Sequence, residues 1–333
     1  MVIALRGSRR EYLLVFRLAQ ILCALGVGIR LCAPSIDHMI SLPVSSILIL
    51  GHSGYIGSRV AAVLAGVGVP VLGRSIPLLD LTRDDSVDAL IDLLDPNGAV
   101  VVCAAIKKQL GDNPENFCKN LAMTLNICKA LAAKPVKRIV YFSSASVYGE
   151  DVPHLIISET TTPQPTSFYG IGKFASERLI IKMAGQHAGT SIVIVRPALV
   201  YGPHEAGYCY GPSGFLRSAQ AEEPITLWGD GEERREFIYV DDVVDLTRRL
   251  TLGVQTGLVN IASGTSYTFA QALRSVEDLI ARRAAVNSRP RSKDKVDHHF
   301  DKGKLREWFP DFRFTDLNTG LARTKLAEET LPS

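Results

Sequence analysis

Tyr169 and Lys173, in the stretch SFYGIGKF, stand four residues apart, the spacing that puts two side chains on one face of a helix. A phenol titrates near about 10 and is a poor base at neutral pH. A neighbouring ammonium, and any further positive charge brought to the site, favours the phenolate and lets Tyr169 take up and return a hydroxyl proton. Ser144 closes the apolar run RIVYFSS, where its hydroxyl can bond the same substrate oxygen. A serine, a tyrosine and a lysine in this arrangement suit the movement of a proton while a hydride moves elsewhere, so the chemistry they suggest is oxidation and reduction at a carbon bearing oxygen.

Such chemistry needs a hydride carrier, and the segment LILGHSGYIGSRV is built to hold one. Gly51, Gly54 and Gly57 lie between a short apolar strand and an apolar helix. The first suits a tight turn, the second lets backbone approach a pyrophosphate, and the third permits close helix packing, with the helix N-terminus offering positive potential through Tyr55 and Ile56. The expected cofactor is NAD or NADP. An acidic residue at the end of the second strand would bond the ribose 2′-hydroxyl of NAD, but VLGRS places Arg74 there, which favours NADP. Asp80, in LLDLTRDD, either receives the adenine amino group or caps the following helix. Ala104 and Ala105 end a third apolar run, AVVVCAA, at the same edge and complete the cofactor-binding set.

The elements that must position these residues alternate. SILIL, VPVLG, AVVVCAA, RIVYFSS and SIVIVRP read as buried strands, and helical patterns separate them; in DDSVDALIDLL, Val87, Leu90, Ile91 and Leu94 share one helical face. Alternation of this kind predicts an α/β chain with a Rossmann doubly wound parallel sheet, whose ligands bind beyond the carboxyl ends of the strands. The dinucleotide-binding domain is expected over residues 45–196. Beyond Arg196 the rhythm breaks, and residues 197–333 read as a smaller, less regular α/β substrate-binding lobe, interleaved in part with the first. Within it, Thr268 and Gln271 form a candidate capping box.

Composition fits a globular protein of 333 residues, 47% hydrophobic and 21% charged. Five arginines against two acidic residues from Met1 to His38 account for the whole formal charge of +3, so no basic face for nucleic acid is expected. Six cysteines are scattered without a CxxC pair, and neither they nor the adjacent His298 and His299 offer a metal-ligand spacing; no metal is expected. Residues 1–40 read as an N-terminal extension: a leader with translation starting at Met39, an amphipathic membrane-surface segment, or a secretion signal. Arg17, Gln20 and Arg30 interrupt its apolar run short of the roughly 20 residues a span requires. Membrane contact is expected only through this extension, and a cytoplasmic location otherwise.

The pieces GHSGYIGS, Asn120, FSSASVYGE, SFYGIGK, RPALVYGP and GDGEERREFIYVDDVVD, in this order, resemble the extended short-chain dehydrogenases/reductases. Within them the chain is similar to the NAD(P)-dependent nucleotide-sugar epimerases and dehydratases of the UDP-glucose 4-epimerase type. The resemblance runs from about Ile47 to Thr324. It implies Ser144, Tyr169 and Lys173 as the catalytic set, Asn120 beside the cofactor, and Ser146 and His204 in the substrate site. It also implies Arg235 on the diphosphate of a nucleotide sugar, with Arg289 or Arg291 as a second cation there. Departures narrow the chemistry. Ala145 and Ser146 stand where dehydratases carry an acidic pair, which argues against elimination of water. Ser146 also stands where GDP-fucose synthases use a cysteine, and a hydroxyl is the weaker acid. Leu199 replaces the usual asparagine of RxxNVYGP. The expectation is a nucleotide-sugar 4-epimerase working through a transient 4-keto sugar. An NADPH-dependent 4-keto nucleotide-sugar reductase is the alternative, and a catalytically silent dinucleotide-binding regulator the alternative of another class. The resemblance further implies a homodimer formed through the helices near Asn120–Ala133 and Tyr169–Met183.

Overall fold

The computed structural model describes residues 43–205, 211–291 and 294–330; the expected N-terminal extension lies outside them. The first half alternates as expected: β1 (Ile47–Leu50), α1 (Tyr55–Leu64), β2 (Val71–Arg74), α2 (Ser86–Leu93), β3 (Ala99–Val102), α3 (Pro114–Ala133), β4 (Arg138–Phe142), α4 (Phe168–Ala184) and β5 (Ser191–Pro197). Every residue of β1, β3 and β4 is buried, as their unbroken apolar runs require of central parallel strands. Leu90 and Leu94 join the core under the sheet, with Val87 and Ile91 packed against it, so the apolar stripe of α2 points where its periodicity predicts. Two helices are stopped at their start by side-chain caps. Asn113 accepts the Asn116 amide at 2.9 Å ahead of Pro114, and Ser167 accepts the Gly170 amide at 3.1 Å.

The second half supplies β6 (Leu199–Tyr201), α5 (Pro212–Gln220), β7 (Ile225–Trp228), β8 (Arg234–Arg235), β9 (Phe237–Tyr239), α6 (Val240–Leu252), β10 (Gly257–Ile261), β11 (Tyr267–Thr268), α7 (Phe269–Ile280), β12 (Val286–Arg289), α8 (Gly303–Trp308) and α9 (Leu317–Glu329). The central sheet has six strands in the order β10-β5-β4-β3-β1-β2, all parallel. Its last strand therefore comes from the lobe expected to begin at residue 197. The other late strands form three two-stranded ribbons around a second core that includes Tyr201, Phe215, Phe237, Tyr239 and Phe269. The capping box at α7 is present: Thr268 Oγ1 accepts the Gln271 amide at 2.9 Å, and Gln271 Oε1 accepts the Thr268 amide at 2.8 Å.

The chain runs from β1 outward to β2 and then returns to the other flank of β1 as β3, so the strand order reverses between β1 and β3. At such a reversal the loops leaving two neighbouring strands part and open a crevice at their carboxyl ends.

Candidate active site

A crevice of about 490 Å³ lies there, and residues following β1, β3, β4 and β5 line it. Gly51 turns the chain out of β1 with φ +83°, and a Cβ on it would stand 2.6 Å from the Ala104 amide nitrogen. A Cβ on Gly57 would stand 2.1 Å from the Gly51 carbonyl oxygen. Both glycines are thus required by backbone approach. No side chain caps the start of α1, and Gly54, Ile56 and Gly57 of that start line the crevice, so the positive end of the helix is turned to it. Ser143 Oγ, buried in the same wall, has no hydrogen-bond partner among the described residues. An open helix N-terminus, a glycine turn and an orphaned hydroxyl fit a bound dinucleotide.

The remaining expected cofactor residues divide. Gly54, Tyr55, Ile56 and Ala105 line the crevice, and Ala104 packs behind Gly51. Arg74 ends β2 with its guanidinium donating to the Gly73 carbonyl at 2.9 Å. Beside it, Ser75 Oγ meets His52 Nδ1 at 3.0 Å and donates to Ser53 Oγ at 2.8 Å, so the end of β2 presents a cation and hydroxyls with no carboxylate. Asp80 is spent locally: its Oδ1 accepts the Thr82 amide at 3.0 Å and the Thr82 hydroxyl at 2.7 Å, which holds its carboxyl below the usual carboxylate range. It closes its own turn ahead of Ser86, where α2 starts. Asn120 turns to the loop after β3, accepting the Ile106 amide at 2.8 Å and donating to the Ile106 carbonyl at 3.0 Å. In the described structure it fixes that loop.

Ser144, Tyr169 and Lys173 converge on the crevice. The two glycines between the tyrosine and the lysine explain how. A Cβ on Gly170 would stand 2.6 Å from the Ser146 carbonyl oxygen, and one on Gly172 would stand 3.2 Å from the Phe117 ring. Glycine at 170 lets the first turn of α4 press onto the loop after β4, which carries the phenol to the serine hydroxyls. Lys173, buried, donates to the Phe142 carbonyl at 2.7 Å and lies 5.9 Å from the Tyr169 ring centroid. Burial pulls its ammonium down to about 8, with Cys103 and Glu177 opposing. Burial pushes the Tyr169 phenol up to about 12; the Ser144 hydroxyl opposes this and the Glu150 carboxylate adds to it. With nothing bound, the site therefore holds a neutral phenol beside an ammonium near its titration point.

Ser144 caps the short 3₁₀ turn Ala145–Tyr148, accepting the Ser146 amide at 3.1 Å and donating to Ser146 Oγ at 3.1 Å. Ser146 in turn donates to Glu150 Oε1 at 3.0 Å, and Glu150 Oε2 pairs with Lys108 from the loop after β3. Neither Glu150 nor Lys108 stands out by spacing in the sequence, although both line the crevice. Glu150 enters the sequence reading only as the last residue of FSSASVYGE.

The expected diphosphate arginines sit behind this network. Arg235 donates to the Glu150 carbonyl at 3.1 Å and to Glu233 Oε1 at 2.6 Å, while Arg291 reaches Asp230 at 2.7 Å and Glu233 Oε2 at 3.6 Å. Glu233 thus draws Arg235 and Arg291 together, whereas Arg289 is exposed on β12. His204 is exposed with φ +58°; its backbone amide donates to Glu328 Oε1 at 3.3 Å, and it is not among the residues lining the crevice. The adjoining residues 206–210 lie outside the described residues.

Residues 47–262 match the model of the NAD dependent epimerase/dehydratase family. UDP-glucuronic acid decarboxylase 2 of Arabidopsis thaliana is 26% identical over 272 residues, 74% of this chain and 60% of the relative, so the chain spans less than two thirds of that protein. GDP-L-fucose synthase 1 of Arabidopsis thaliana is 27% identical over 254 residues, 71% of this chain and 78% of the relative. Among solved structures, the UDP-glucose 4-epimerase of Thermus thermophilus in complex with NAD superposes with a TM-score of 0.72 at 25% identity, covering 84% of this chain and 99% of that one.

Proposed function

The chain belongs to the NAD dependent epimerase/dehydratase family, and on that premise we propose that it is a nucleotide-sugar 4-epimerase. It is an NAD(P)-dependent enzyme of the nucleotide-sugar class. The observation that supports the proton-and-hydride chemistry is the convergence of the Tyr169 phenol, the Ser144 hydroxyl and the Lys173 ammonium at the carboxyl edge of β4. A bound oxidised nicotinamide, held by the glycine turn and the start of α1, would supply hydride acceptance and return at C4 and a positive charge beside the phenol. Tyr169 takes the C4 hydroxyl proton and gives it back once the 4-keto sugar has turned its other face. Ser144 bonds the C4 oxygen, and Lys173 favours the phenolate, so rate comes from charge and hydrogen bonding held where the oxyanion develops. Arg235 and Arg291 are the cations for the diphosphate.

A second reading, an NADPH-dependent 4-keto nucleotide-sugar reductase, is favoured by Arg74 and by the lack of a carboxylate at the end of β2. It uses Tyr169 in one direction only. Turnover of a panel of UDP- and GDP-sugars, with nicotinamide absorbance followed throughout, separates the two: one NADPH consumed per product identifies the reductase, and epimerisation without net consumption identifies the epimerase. In either case Tyr169→Phe lowers turnover by about 100-fold or more; an unchanged rate removes Tyr169 from the mechanism. A silent regulator is not carried further, since the family is one of enzymes and Ser144, Tyr169 and Lys173 are all in place. Leu125, Phe168, Ile171 and Ile181 leave apolar surface exposed on α3 and α4. We take this as the face through which two copies pair, to be read by sedimentation. No helix among the described residues is long and apolar enough to cross a membrane.

A further inference from the structure

We propose that a second cavity, which meets the crevice at Phe237, binds a nucleoside diphosphate. Its volume of about 380 Å³ falls within the roughly 300–1,000 Å³ usual for small-molecule sites. Among the described residues it shares only Phe237 with the crevice. Much of its wall is the segment from α8 to the start of α9, where Phe309, Phe312 and Phe314 supply three aromatic rings; Tyr267 of β11 supplies a fourth. Phe312 and Phe314 meet edge to face, with ring centroids 5.0 Å apart and planes at 84°. Arg249 is not a lining residue, and its guanidinium lies 5.4 Å from the Phe312 centroid and 5.9 Å from that of Phe309, so it braces these rings from behind.

The charge of the wall is unbalanced. Arg249 is neutralised by Asp245 and Asp311, but Lys302, Arg306 and Arg313, which do line the cavity, are exposed and form no ion pair among the described residues. Arg313 donates to the Pro310 and Phe312 carbonyls at 2.7 and 2.8 Å, which fixes its guanidinium without cancelling its charge. The one carboxylate in the wall, Asp316, caps α9: it accepts the Thr319 amide at 3.0 Å and the Thr319 hydroxyl at 2.6 Å. A Cβ on Gly264 would stand 2.9 Å from Lys302 Cδ, so glycine there lets the lysine stem lie across the loop after β10. Rings beside unpaired cations suit a ligand that is flat and aromatic at one end and multiply negative at the other, as a nucleoside phosphate is. The choice of a diphosphate rests on the nucleotide-sugar reading of the crevice. Transfer of a sugar from such a nucleotide breaks the bond from C1 to the diphosphate and forms one to the acceptor oxygen. It releases a nucleoside diphosphate and the acceptor's proton.

Calorimetric titration of the full chain, saturated with NAD or NADP, uses UDP, GDP and inorganic pyrophosphate as probes. The parent should take up two molecules of one of the nucleotides per chain, one in each cavity. Lys302→Glu combined with Arg306→Glu should weaken one class of site by about 10-fold or more, the worth of a charge-assisted bond to a phosphate. The other class stays in place and reports an intact fold. Arg306→Gln, a milder change, should weaken the same class in the same direction, and Arg235→Ala the other class. Pyrophosphate should bind the new class about 10-fold less tightly than the nucleotide, the worth of stacking one base on an aromatic side chain. A single class in the parent, weakened by Arg235→Ala and untouched by the charge reversals, overturns the second site and leaves the crevice reading standing. Two classes that both survive the charge reversals overturn it as well, and pyrophosphate bound as tightly as the nucleotide overturns a nucleoside as its ligand. A single class lost on charge reversal and indifferent to Arg235→Ala supports the second site and counts against the crevice reading; no uptake of either nucleotide overturns both.

Discussion

Glu177 stands one helical turn beyond Lys173 and binds Arg196 of β5 in both prongs: Arg196 Nε donates to Oε1 at 2.8 Å and Nη2 to Oε2 at 2.6 Å, with the two side chains 4% and 2% exposed. Glu177→Gln leaves the guanidinium buried against a neutral amide. Removing one partner of such a pair costs about 3–5 kcal/mol, out of a folding stability of about 5–15 kcal/mol. Replacing both by methionine strands no charge, so the double variant should recover most of the loss. Urea unfolding followed by circular dichroism measures this, with the slope against urea compared to check that the transition stays two-state. A loss below about 1 kcal/mol in Glu177→Gln, or a double variant less stable than the single one, would refute the reasoning. The same substitution has a second readout. The Glu177 carboxylate favours the Lys173 ammonium, which burial has drawn down to about 8. Without Glu177 the ammonium deprotonates at lower pH, so the alkaline limb of turnover moves to lower pH; a limb that stays in place or moves up contradicts the coupling.

Three further outcomes are expected. His298 is buried, and burial first, with repulsion from Arg235 and His154 added, pulls its imidazole down to about 3. The unfolded chain binds this proton below about 6.5 and the folded chain does not, so stability falls with pH in that window, by about 2 kcal/mol at pH 5; His298→Gln should flatten this acid limb, and an equal slope in both proteins counts against it. Arg74→Glu should move cofactor preference from NADP towards NAD by about 10- to 100-fold in relative affinity, the worth of a charge-assisted bond to a phosphate, whereas a parent that prefers NAD refutes the role. Thr268→Ala removes the side-chain half of the α7 capping box and should cost about 1 kcal/mol on urea unfolding; no loss would mean that the cap bond is replaced by water.

What can be read in advance, and what cannot, follows from which residues the backbone itself demands. Gly51, Gly57 and Gly170 each sit where a Cβ would strike main-chain atoms, so their type is dictated by local approach and is visible one residue at a time. Leu90 and Leu94 are visible by period, because burial of one helix face repeats along the chain. Asp80 stands open between adenine and a cap in the sequence because an aspartate before a turn serves either; in the structure its carboxylate bonds the Thr82 amide and hydroxyl, while Asp85 stands at the start of α2. Arg235 and Arg291 are 56 residues apart, and only a shared carboxylate, Glu233, shows that the fold brings them together. Glu150 and Lys108 are harder still. Their contact exists because β3 and β4 are neighbours whose following loops leave the same edge, and apolar runs such as AVVV and RIVYF state that a strand is buried without stating which strand lies beside it. The backbone frame of the crevice is therefore legible where chemistry is local. The side chains that adjust the phenol become legible only once strand order is known, which is why the hydrogen-bond network ending at Glu150 emerges from the fold and the Tyr169–Lys173 pair from the sequence.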